Sequence, residues 1–200
     1  MATRIIELVE VGPRDGLQNE KQLVSTAEKL ELIQRAIDAG ARRIEATSFV
    51  NPKRVPQMAD AEALCASLPQ IDGVTFIGLV MNQRGAERAI GTGRIGQLGA
   101  VAVATDTFAM ANQGQSSDDS IAIAHDIIKR ANGVGLTSQV TIAASFGCPF
   151  EGEVAEDRII GMAKRLADAV PVEVALADTI GVANPAHVVR LVTKVREAIH

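Results

Sequence analysis

A cation, a carboxylate and an amide follow the first apolar segment of the chain within a few residues. Val9-Glu10-Val11 runs into a Gly12-Pro13 break, and Arg14, Asp15 and Gln18 come next. An arginine carries a permanent charge and a planar set of donors, so it can hold an oxygen that becomes negative during a reaction. An aspartate is a hard oxygen donor suited to Mg²⁺ or Mn²⁺. The spacing indicates that reactive groups are gathered where a strand ends.

Polar side chains recur at the ends of later apolar segments. They are Glu45, Ser48, Asn82, Asp178 and Thr179. Glu45 lies among apolar neighbours, where an unpaired carboxylate would be costly, so we expect it to pair with Arg14 or to support groups around a metal. A purely structural ion pair explains the same pattern. For Ser48 taken alone, capping of a strand end is the simpler interpretation.

Short apolar runs alternate with segments of helical period along the whole chain. The pattern predicts strands at about 5 to 11, 42 to 47, 74 to 80, 99 to 104, 136 to 144 and 172 to 177. It predicts helices near 25 to 39, 57 to 67, 83 to 91, 117 to 132, 155 to 169 and 185 to 199. Ser25 followed by Glu28 predicts a capping box at the start of the first helix, and Gly40 predicts its end.

Six repeated βα units imply parallel strands joined by right-handed crossovers, in an open sheet or a closed barrel. Periodicity does not choose between the two. The phosphate-binding fingerprint of dinucleotide folds does not follow any predicted strand, and Gly91-Thr92-Gly93 lies after a helix. The polar residues above lie at the ends of strands or just after them, and in barrel enzymes the loops there form the active face. We therefore expect them to face one site.

Composition predicts one globular domain with a substantial core, since 47% of the 200 residues are hydrophobic and 22% are charged. No apolar run approaches the roughly 18 residues of a membrane span, and the N-terminus lacks a signal-peptide pattern. We expect a cytoplasmic protein with no membrane partner. Cys65 and Cys148 lack metal-binding spacing and are predicted to be buried or loop thiols. A net charge of −4 without Trp or Tyr argues against a nucleic-acid partner.

The segment at residues 12–19 resembles the hydroxymethylglutaryl-CoA lyase family, in which Gly-Pro-Arg-Asp-Gly-Leu-Gln-Asn follows the first strand of a barrel. Residues 44–53 with 55–60, residues 147–152 and residues 178–182 match the same family in order and spacing. The resemblance implies an α/β fold of the TIM (β/α)8 barrel class, with about six βα units in this chain. We expect residues 1–200 to form a single catalytic barrel domain that lacks strands seven and eight, and the natural product to run roughly 100 residues further.

The resemblance also implies a metal-dependent lyase that splits a 3-hydroxy-3-methylglutaryl-CoA-like substrate by a retro-aldol (Claisen) route. Asp15 would supply one ligand to Mg²⁺ or Mn²⁺, with a His-x-His pair and an Asn from the absent region. Arg14 would stabilise the acetyl-CoA enolate, and Glu45 would support it. Alternatively, Arg14 forms a salt bridge with Asp15 or Glu10, and the two roles can coexist.

The resemblance places further residues near the substrate, and these are Gln18, Ser48, Asn82, Asp178 and Thr179. Lys21, Lys53 and Arg54 lie on predicted loops of the same face and could attract the phosphates of an acyl-CoA, although loop cations are commonly just solvated. His125 and His187 fall in predicted helices and His200 is terminal, so all three are interpreted as structural or surface residues. Cys148 is not expected to be catalytic.

Alternatives stay open within and beyond this family. The same superfamily contains synthases that condense acetyl-CoA with 2-oxo acids, and biotin-linked carboxyltransferases; Leu17-Gln18 after Arg-Asp-Gly looks like the lyase version. A non-catalytic barrel fragment is a third possibility. Residues 104–112 differ from the Ala-Ser-Glu-like segment of the family, which leaves room for a related branched 3-hydroxyacyl-CoA. We expect the partners to be the acyl-CoA and copies of the chain, in a homodimer or another homo-oligomer.

Overall fold

The computed structural model describes residues 6–168 and 170–199. Residue 5 of the first predicted strand, residue 169 of the fifth predicted helix, and His200 lie outside the described residues. The chain divides into two compact units, each described by itself. The first contains the described residues up to Val80 together with Glu87–Gln97, and the second contains Met81–Ala86 with the described residues from Leu98 onward.

The first unit contains three parallel strands in the order β1-β2-β3. Its elements are β1 (Val9–Glu10), α1 (Thr26–Asp38), β2 (Arg43–Ser48), α2 (Ala61–Ser67) and β3 (Thr75–Leu79). A π-helical turn at Gly12–Gly16 follows β1, and a 3₁₀ turn at Pro56–Met58 precedes α2.

The second unit contains strands in the order β4-β5-β6, and β5 and β6 are parallel. Helix α3 (Gln83–Gly91) begins in this unit and ends in the first, while β4 (Gln97–Val103) has its first residue in the first unit. The remaining elements are α4 (Asp106–Gln113), α5 (Ser117–Gly133), β5 (Thr137–Ala143), α6 (Glu156–Ala167), β6 (Glu173–Leu176) and α7 (Pro185–Ile199). Strands and helices thus alternate, as predicted for an α/β protein, except that α4 and α5 follow one another.

Strand β2 is buried from Ile44 to Ser48 and contains an irregularity that bears on the site. Its pairing with β3 matches Glu45 with Ile77 and Thr47 with Gly78, so Ala46 is an extra residue in the ladder. An extra residue of this kind is a β-bulge, and it changes the direction in which the following side chains point.

The capping box predicted at the first helix is confirmed. Ser25 Oγ accepts from the Glu28 N–H at 3.3 Å, and the Ser25 N–H donates to Glu28 Oε2 at 2.9 Å. This reciprocal pair satisfies the backbone N–H groups of Ser25 and Glu28, which would otherwise lack acceptors at the start of the helix. It therefore fixes where the loop after β1 ends and α1 begins.

Most predicted elements agree with the structure to within a few residues, and three differ. Strand β1 covers only Val9–Glu10 of the predicted 5 to 11, and Ile6 and Leu8 are exposed. The second predicted helix is divided, because Pro56 starts a separate 3₁₀ turn. Helix α4 was not predicted; it buries only Ala109, so its sequence shows little apolar periodicity.

The structure also bears on the predictions about the two cysteines, membrane-spanning segments and two of the histidines. Cys65 and Cys148 are free and buried, as predicted. Burial raises the pKa of the Cys65 thiol to about 11. Across the described part of the chain, every helix is too short or too polar to cross a bilayer. His125 and His187 lie in α5 and α7, as predicted.

Candidate active site

The π-helical turn after β1 sets the direction of Arg14 and Asp15. Pro13 is buried at the start of the turn, where its missing N–H is not needed. The N–H groups of Arg14 and Asp15 both donate to the Val11 carbonyl, at 3.1 and 2.7 Å. The wide turn therefore holds two adjacent residues on one backbone acceptor, and their side chains leave the strand end together.

The guanidinium of Arg14 joins two carboxylates. Its Nε and Nη2 donate to Glu45 Oε2 at 2.8 and 2.6 Å, and its Nη1 donates to Asp15 Oδ1 at 2.8 Å. The Arg14 side chain is 14% exposed, that of Glu45 is 7% exposed and that of Asp15 is 56% exposed. The predicted pairing of Glu45 with Arg14 is confirmed, and so is the Arg14–Asp15 salt bridge. Glu10 instead accepts from the Gly12 N–H at 2.6 Å.

Two opposed effects act on the Glu45 carboxyl. Burial raises its pKa above the ordinary value, and this is the larger effect. The adjacent Arg14 charge and its hydrogen bonds lower the pKa, while the Asp15 carboxylate raises it again. The net shift is upward, so the ionised form of Glu45 depends on Arg14.

Gln18 and Ser48 form a second contact between the loop after β1 and the end of β2. Ser48 Oγ donates to Gln18 Oε1 at 3.0 Å, and Ser48 is fully buried. Asn19 Nδ2 donates to the Asp15 carbonyl at 2.8 Å and closes the loop. The structure therefore brings together Arg14, Asp15, Gln18, Glu45 and Ser48, all from the first unit.

The three loop cations predicted to attract phosphates are Lys21, Lys53 and Arg54. All three are exposed. Within residues 6–168 and 170–199, none of their side chains forms an ion pair or a hydrogen bond. Their charges are therefore available to an anion, and their contact with a ligand stays a prediction.

Asp178 and Thr179, which are predicted site residues in the second unit, accept hydrogen bonds from backbone N–H groups. Both Asp178 carboxylate oxygens accept N–H bonds at 3.0 Å, from Val182 and Ala183. Thr179 Oγ1 accepts from the Ala144 N–H at 2.9 Å, and Ala144 has a positive φ of 59°. These bonds fix the turns that follow β5 and β6.

Asn82 caps the first turn of α3. Its Oδ1 accepts from the Gly85 N–H at 2.9 Å, and its carbonyl accepts from Ala86 at 3.0 Å. Substrate contacts for Asn82, Asp178 and Thr179 stay predictions, because the observed bonds describe only how these residues are held.

Among the residues present, Asp15 is suited to be one ligand of a divalent cation. One oxygen of the Asp15 carboxylate accepts from Arg14, and the other has no hydrogen-bond partner among the residues that the structure describes. An exposed oxygen of this kind suits Mg²⁺ or Mn²⁺. In the described part of the chain, groups of three or more His, Cys, Asp or Glu residues that could hold a metal do not occur.

An ion pair between buried Lys29 and the partly exposed Asp60 lies beside these loops and was not predicted. Lys29 Nζ donates to Asp60 Oδ1 and to the Gln57 carbonyl, both at 2.5 Å. The signal was present in the sequence, because Lys29 lies four residues before Ile33 and eight before Ile37, which form the buried face of α1. A lysine at that spacing occupies an apolar position and therefore needs a buried partner.

A family model for HMGL-like proteins matches residues 5–200. The chain belongs to the HMGL-like family. It is 37% identical to the mitochondrial hydroxymethylglutaryl-CoA lyase of Bos taurus over 180 residues, which is 90% of this chain and 55% of the relative. It is 37% identical to the hydroxymethylglutaryl-CoA lyase of Pseudomonas mevalonii over 180 residues, which is 90% of this chain and 60% of the relative. The resemblance to this family is confirmed.

Solved structures give the same result for the fold. The hydroxymethylglutaryl-CoA lyase of Pseudomonas aeruginosa matches at a TM-score of 0.91 and 36% identity, over 97% of this chain and 64% of that one. An HMG-CoA lyase from Acinetobacter baumannii in complex with coenzyme A and 3-methylmalate matches at a TM-score of 0.91 and 34% identity. The match covers 98% of this chain and 63% of that one. The predicted α/β barrel class with six βα units is confirmed. The chain spans little more than half the length of the curated relatives that it matches.

Proposed function

We propose that this HMGL-like protein takes part in the cleavage of a 3-hydroxy-3-methylglutaryl-CoA-like thioester to acetyl-CoA and a keto acid such as acetoacetate. The observation that carries the proposal is the placement of Arg14 between buried Glu45 and exposed Asp15. Membership of the HMGL-like family and the names of the relatives support it. A condensing synthase is less well supported, because these relatives are named as lyases.

Arg14 would stabilise the charge that develops during carbon–carbon bond cleavage. The substrate hydroxyl loses its proton to a base and becomes the new keto group as the carbon–carbon bond breaks. The electron pair of that bond moves onto the thioester as an enolate, and the enolate takes up a proton at its carbon to become acetyl-CoA. A guanidinium fixed beforehand stabilises such an oxygen without reorganising. Two hydrogen bonds to Glu45 fix Arg14, and its bond to partly exposed Asp15 leaves it at the edge of solvent.

Asp15 would be the residue of this chain that binds the divalent cation, Mg²⁺ or Mn²⁺. Such an ion, when bound, would acidify the substrate hydroxyl and polarise the oxygens beside it. Asp15 has one carboxylate oxygen committed to Arg14, so the same side chain would position the guanidinium next to the bound substrate. Gln18 and Ser48, which hold each other, would contribute neutral hydrogen bonds to the substrate hydroxyl or carboxylate.

The thioester substrate would present phosphates to the exposed cations of the same unit. Coenzyme A occupies one of the matched solved structures, and this supports an acyl-CoA ligand here. The acyl part is proposed only as a branched 3-hydroxyacyl group, because residues 104–112 differ from the family segment and residues 106–113 form α4. We expect a homo-oligomer.

The experiment measures cleavage by the protein as its gene encodes it, with 3-hydroxy-3-methylglutaryl-CoA and with longer-branched 3-hydroxyacyl-CoA thioesters. Protein treated with a chelator should lose activity and regain it with Mg²⁺ or Mn²⁺. Asp15→Ala should stay inactive at any metal concentration, while Asp15→Glu, which keeps the oxygen donor, should recover part of the activity. Full activity of the chelated protein, or of Asp15→Ala, would contradict the metal role.

A further inference from the structure

A partly buried network connects three segments around the loops of the first unit. Lys29 lies on α1, its side chain is 4% exposed, and its ammonium group contacts Asp60 and the Gln57 carbonyl. Thr26 Oγ1 donates to the other Asp60 oxygen at 2.6 Å. The ammonium group and the carboxylate thus satisfy each other within the protein. We call Lys29, Asp60 and Gln57 the buried tie.

The buried tie extends to the loop after β1 through the Gln57 side chain. Gln57 Nε2 donates to the Glu20 carbonyl at 2.8 Å, one residue before Lys21. The Gln57 carbonyl therefore accepts a hydrogen bond from Lys29 on α1, while the Gln57 side chain donates one to the loop after β1. Through these two hydrogen bonds, Lys29 fixes the position of Gln57, and Gln57 fixes the backbone next to Lys21.

The segment between β2 and α2, which contains Gln57 and Asp60, also carries the two other exposed cations. Asn51 Oδ1 accepts from the Lys53 N–H at 3.0 Å, and the Asn51 carbonyl accepts from the Arg54 N–H at 2.9 Å. These bonds close a turn that is followed directly by the 3₁₀ turn Pro56–Met58, which contains Gln57 of the tie. Lys21, Lys53 and Arg54 are named here the cation rim. Gln57, whose carbonyl accepts from Lys29, therefore connects the ammonium group to the loop of Lys21 by a side-chain hydrogen bond and to Lys53 and Arg54 along the chain.

We propose that Lys29 and Asp60 are positioning residues that fix the cation rim in the arrangement that binds the phosphates of a coenzyme A thioester. This inference rests on the proposed function for its ligand class. A buried ion pair contributes little net stability relative to well-packed apolar residues, while it can specify one arrangement of the segments that it joins. Lys29 and Asp60 join segments rather than reaching a ligand, since Lys29 is enclosed between α1 and the loop.

The test compares the affinities for coenzyme A and for pantetheine, which has the same thiol arm and no phosphate, by isothermal titration of the protein as its gene encodes it. In Lys29→Met the rim loses its fixed arrangement, so the affinity for coenzyme A should fall by about tenfold, as expected when one or two exposed ion pairs are lost. The affinity for pantetheine should stay unchanged. Gln57→Met removes the link to Glu20 without a buried charge and should lower the coenzyme A affinity by about threefold.

The matched control is Arg35→Met. Arg35 lies on the same helix in an exposed pair with Glu31, so this change removes the same charge without touching the tie. Its coenzyme A affinity should equal that of the wild type. In a Lys53→Met/Arg54→Met background, adding Lys29→Met should cause little further loss, because residues that act through one another are not additive.

Equal losses for coenzyme A and pantetheine, or no loss in a folded Gln57→Met protein, would overturn the positioning role. Wild-type protein that binds coenzyme A no better than pantetheine would overturn it as well. If Lys29→Met does not fold, Gln57→Met decides the question alone. Binding is measured without turnover, so a protein that shows these losses but cleaves no thioester would retain the positioning role and lose the proposed lyase reaction.

Discussion

Removing the guanidinium of Arg14 should destabilise the protein by an amount that depends on pH. Arg14→Met leaves the 7% exposed Glu45 side chain without its two hydrogen bonds from a cation. Burial already raises the Glu45 pKa, and Arg14 is the main group that opposes this. Without Arg14 the pKa should rise further, so Glu45 should take up a proton at a higher pH than in the wild type.

The size of the effect follows from the burial of the pair. Removing one partner of a buried ion pair costs about 3 to 5 kcal/mol. The penalty of the unpaired carboxylate cannot exceed the free energy needed to protonate it, which grows by about 1.36 kcal/mol for each pH unit above its pKa. A carboxyl with a raised folded pKa contributes stability that is present at low pH and lost as pH rises through that pKa. Arg14→Met should therefore cost least in acid.

The measurement is denaturant unfolding of wild type, Arg14→Met, Glu45→Gln and the double variant at two pH values, one near 5 and one near 8. The cost of Arg14→Met should be larger at the higher pH. Adding Glu45→Gln should restore about 2 kcal/mol at that pH, because no buried charge is left. Asp15→Asn is the control: Asp15 is 56% exposed, so its loss should change stability by less than about 1 kcal/mol.

Two results would refute this account of the Arg14–Glu45 pair. One is a cost of Arg14→Met that is the same at both pH values. The other is a double variant no more stable than Arg14→Met alone at the higher pH. Either result would mean that Glu45 is neutral in the native protein or that water reaches it.

Three further outcomes are expected. In the proposed reaction, Arg14→Met should lower kcat by about 10² to 10³-fold with little change in KM, and Glu45→Gln should lower it by about 10 to 100-fold, both measured by steady-state kinetics. A Cβ at Gly78 would lie 2.9 Å from the Phe49 ring, so Gly78→Ala should destabilise the protein by about 1 to 3 kcal/mol. Gly161 lies on α6 with open space around it, so Gly161→Ala should stabilise the protein by about 0.5 to 1 kcal/mol; thermal unfolding measures both changes. Hydrogen bonds from Lys194 and Arg190 lower the pKa of Glu156 to about 2, so its contribution to stability is present above about 4.5 and lost as pH falls through about 2; acid unfolding of E156Q should lack this dependence.

Much of the Arg14 site could be predicted because its residue types carry the signal, although Arg14 and Glu45 lie 31 positions apart. Pro13 after an apolar segment predicts a strand end, and a carboxylate within the buried run of β2 predicts a cation close by, which is Arg14. The order of the βα units followed from apolar periodicity in the same way. These features depend on residue type and spacing alone.

Other parts of the site depend on contacts between distant segments and could not be predicted. The bond from Gln57 to the Glu20 carbonyl joins residues 37 positions apart, and nothing in either segment selects the other. The partners of Asp178 are backbone N–H groups of its own turn, which a functional motif does not reveal. Helix α4 has only one buried residue, so apolar periodicity was too weak to predict it.

The bulge at Ala46 restricts how this family member can change over evolutionary time. Side chains alternate between the two faces of a strand, so a deletion or insertion between Glu45 and Ser48 would exchange the faces of every residue beyond it. Ser48 would then leave Gln18, although its identity had not changed. Insertions in the loop at residues 69–74 shift no such pattern. We expect natural variants to differ in length there while the spacing from Glu45 to Ser48 stays constant.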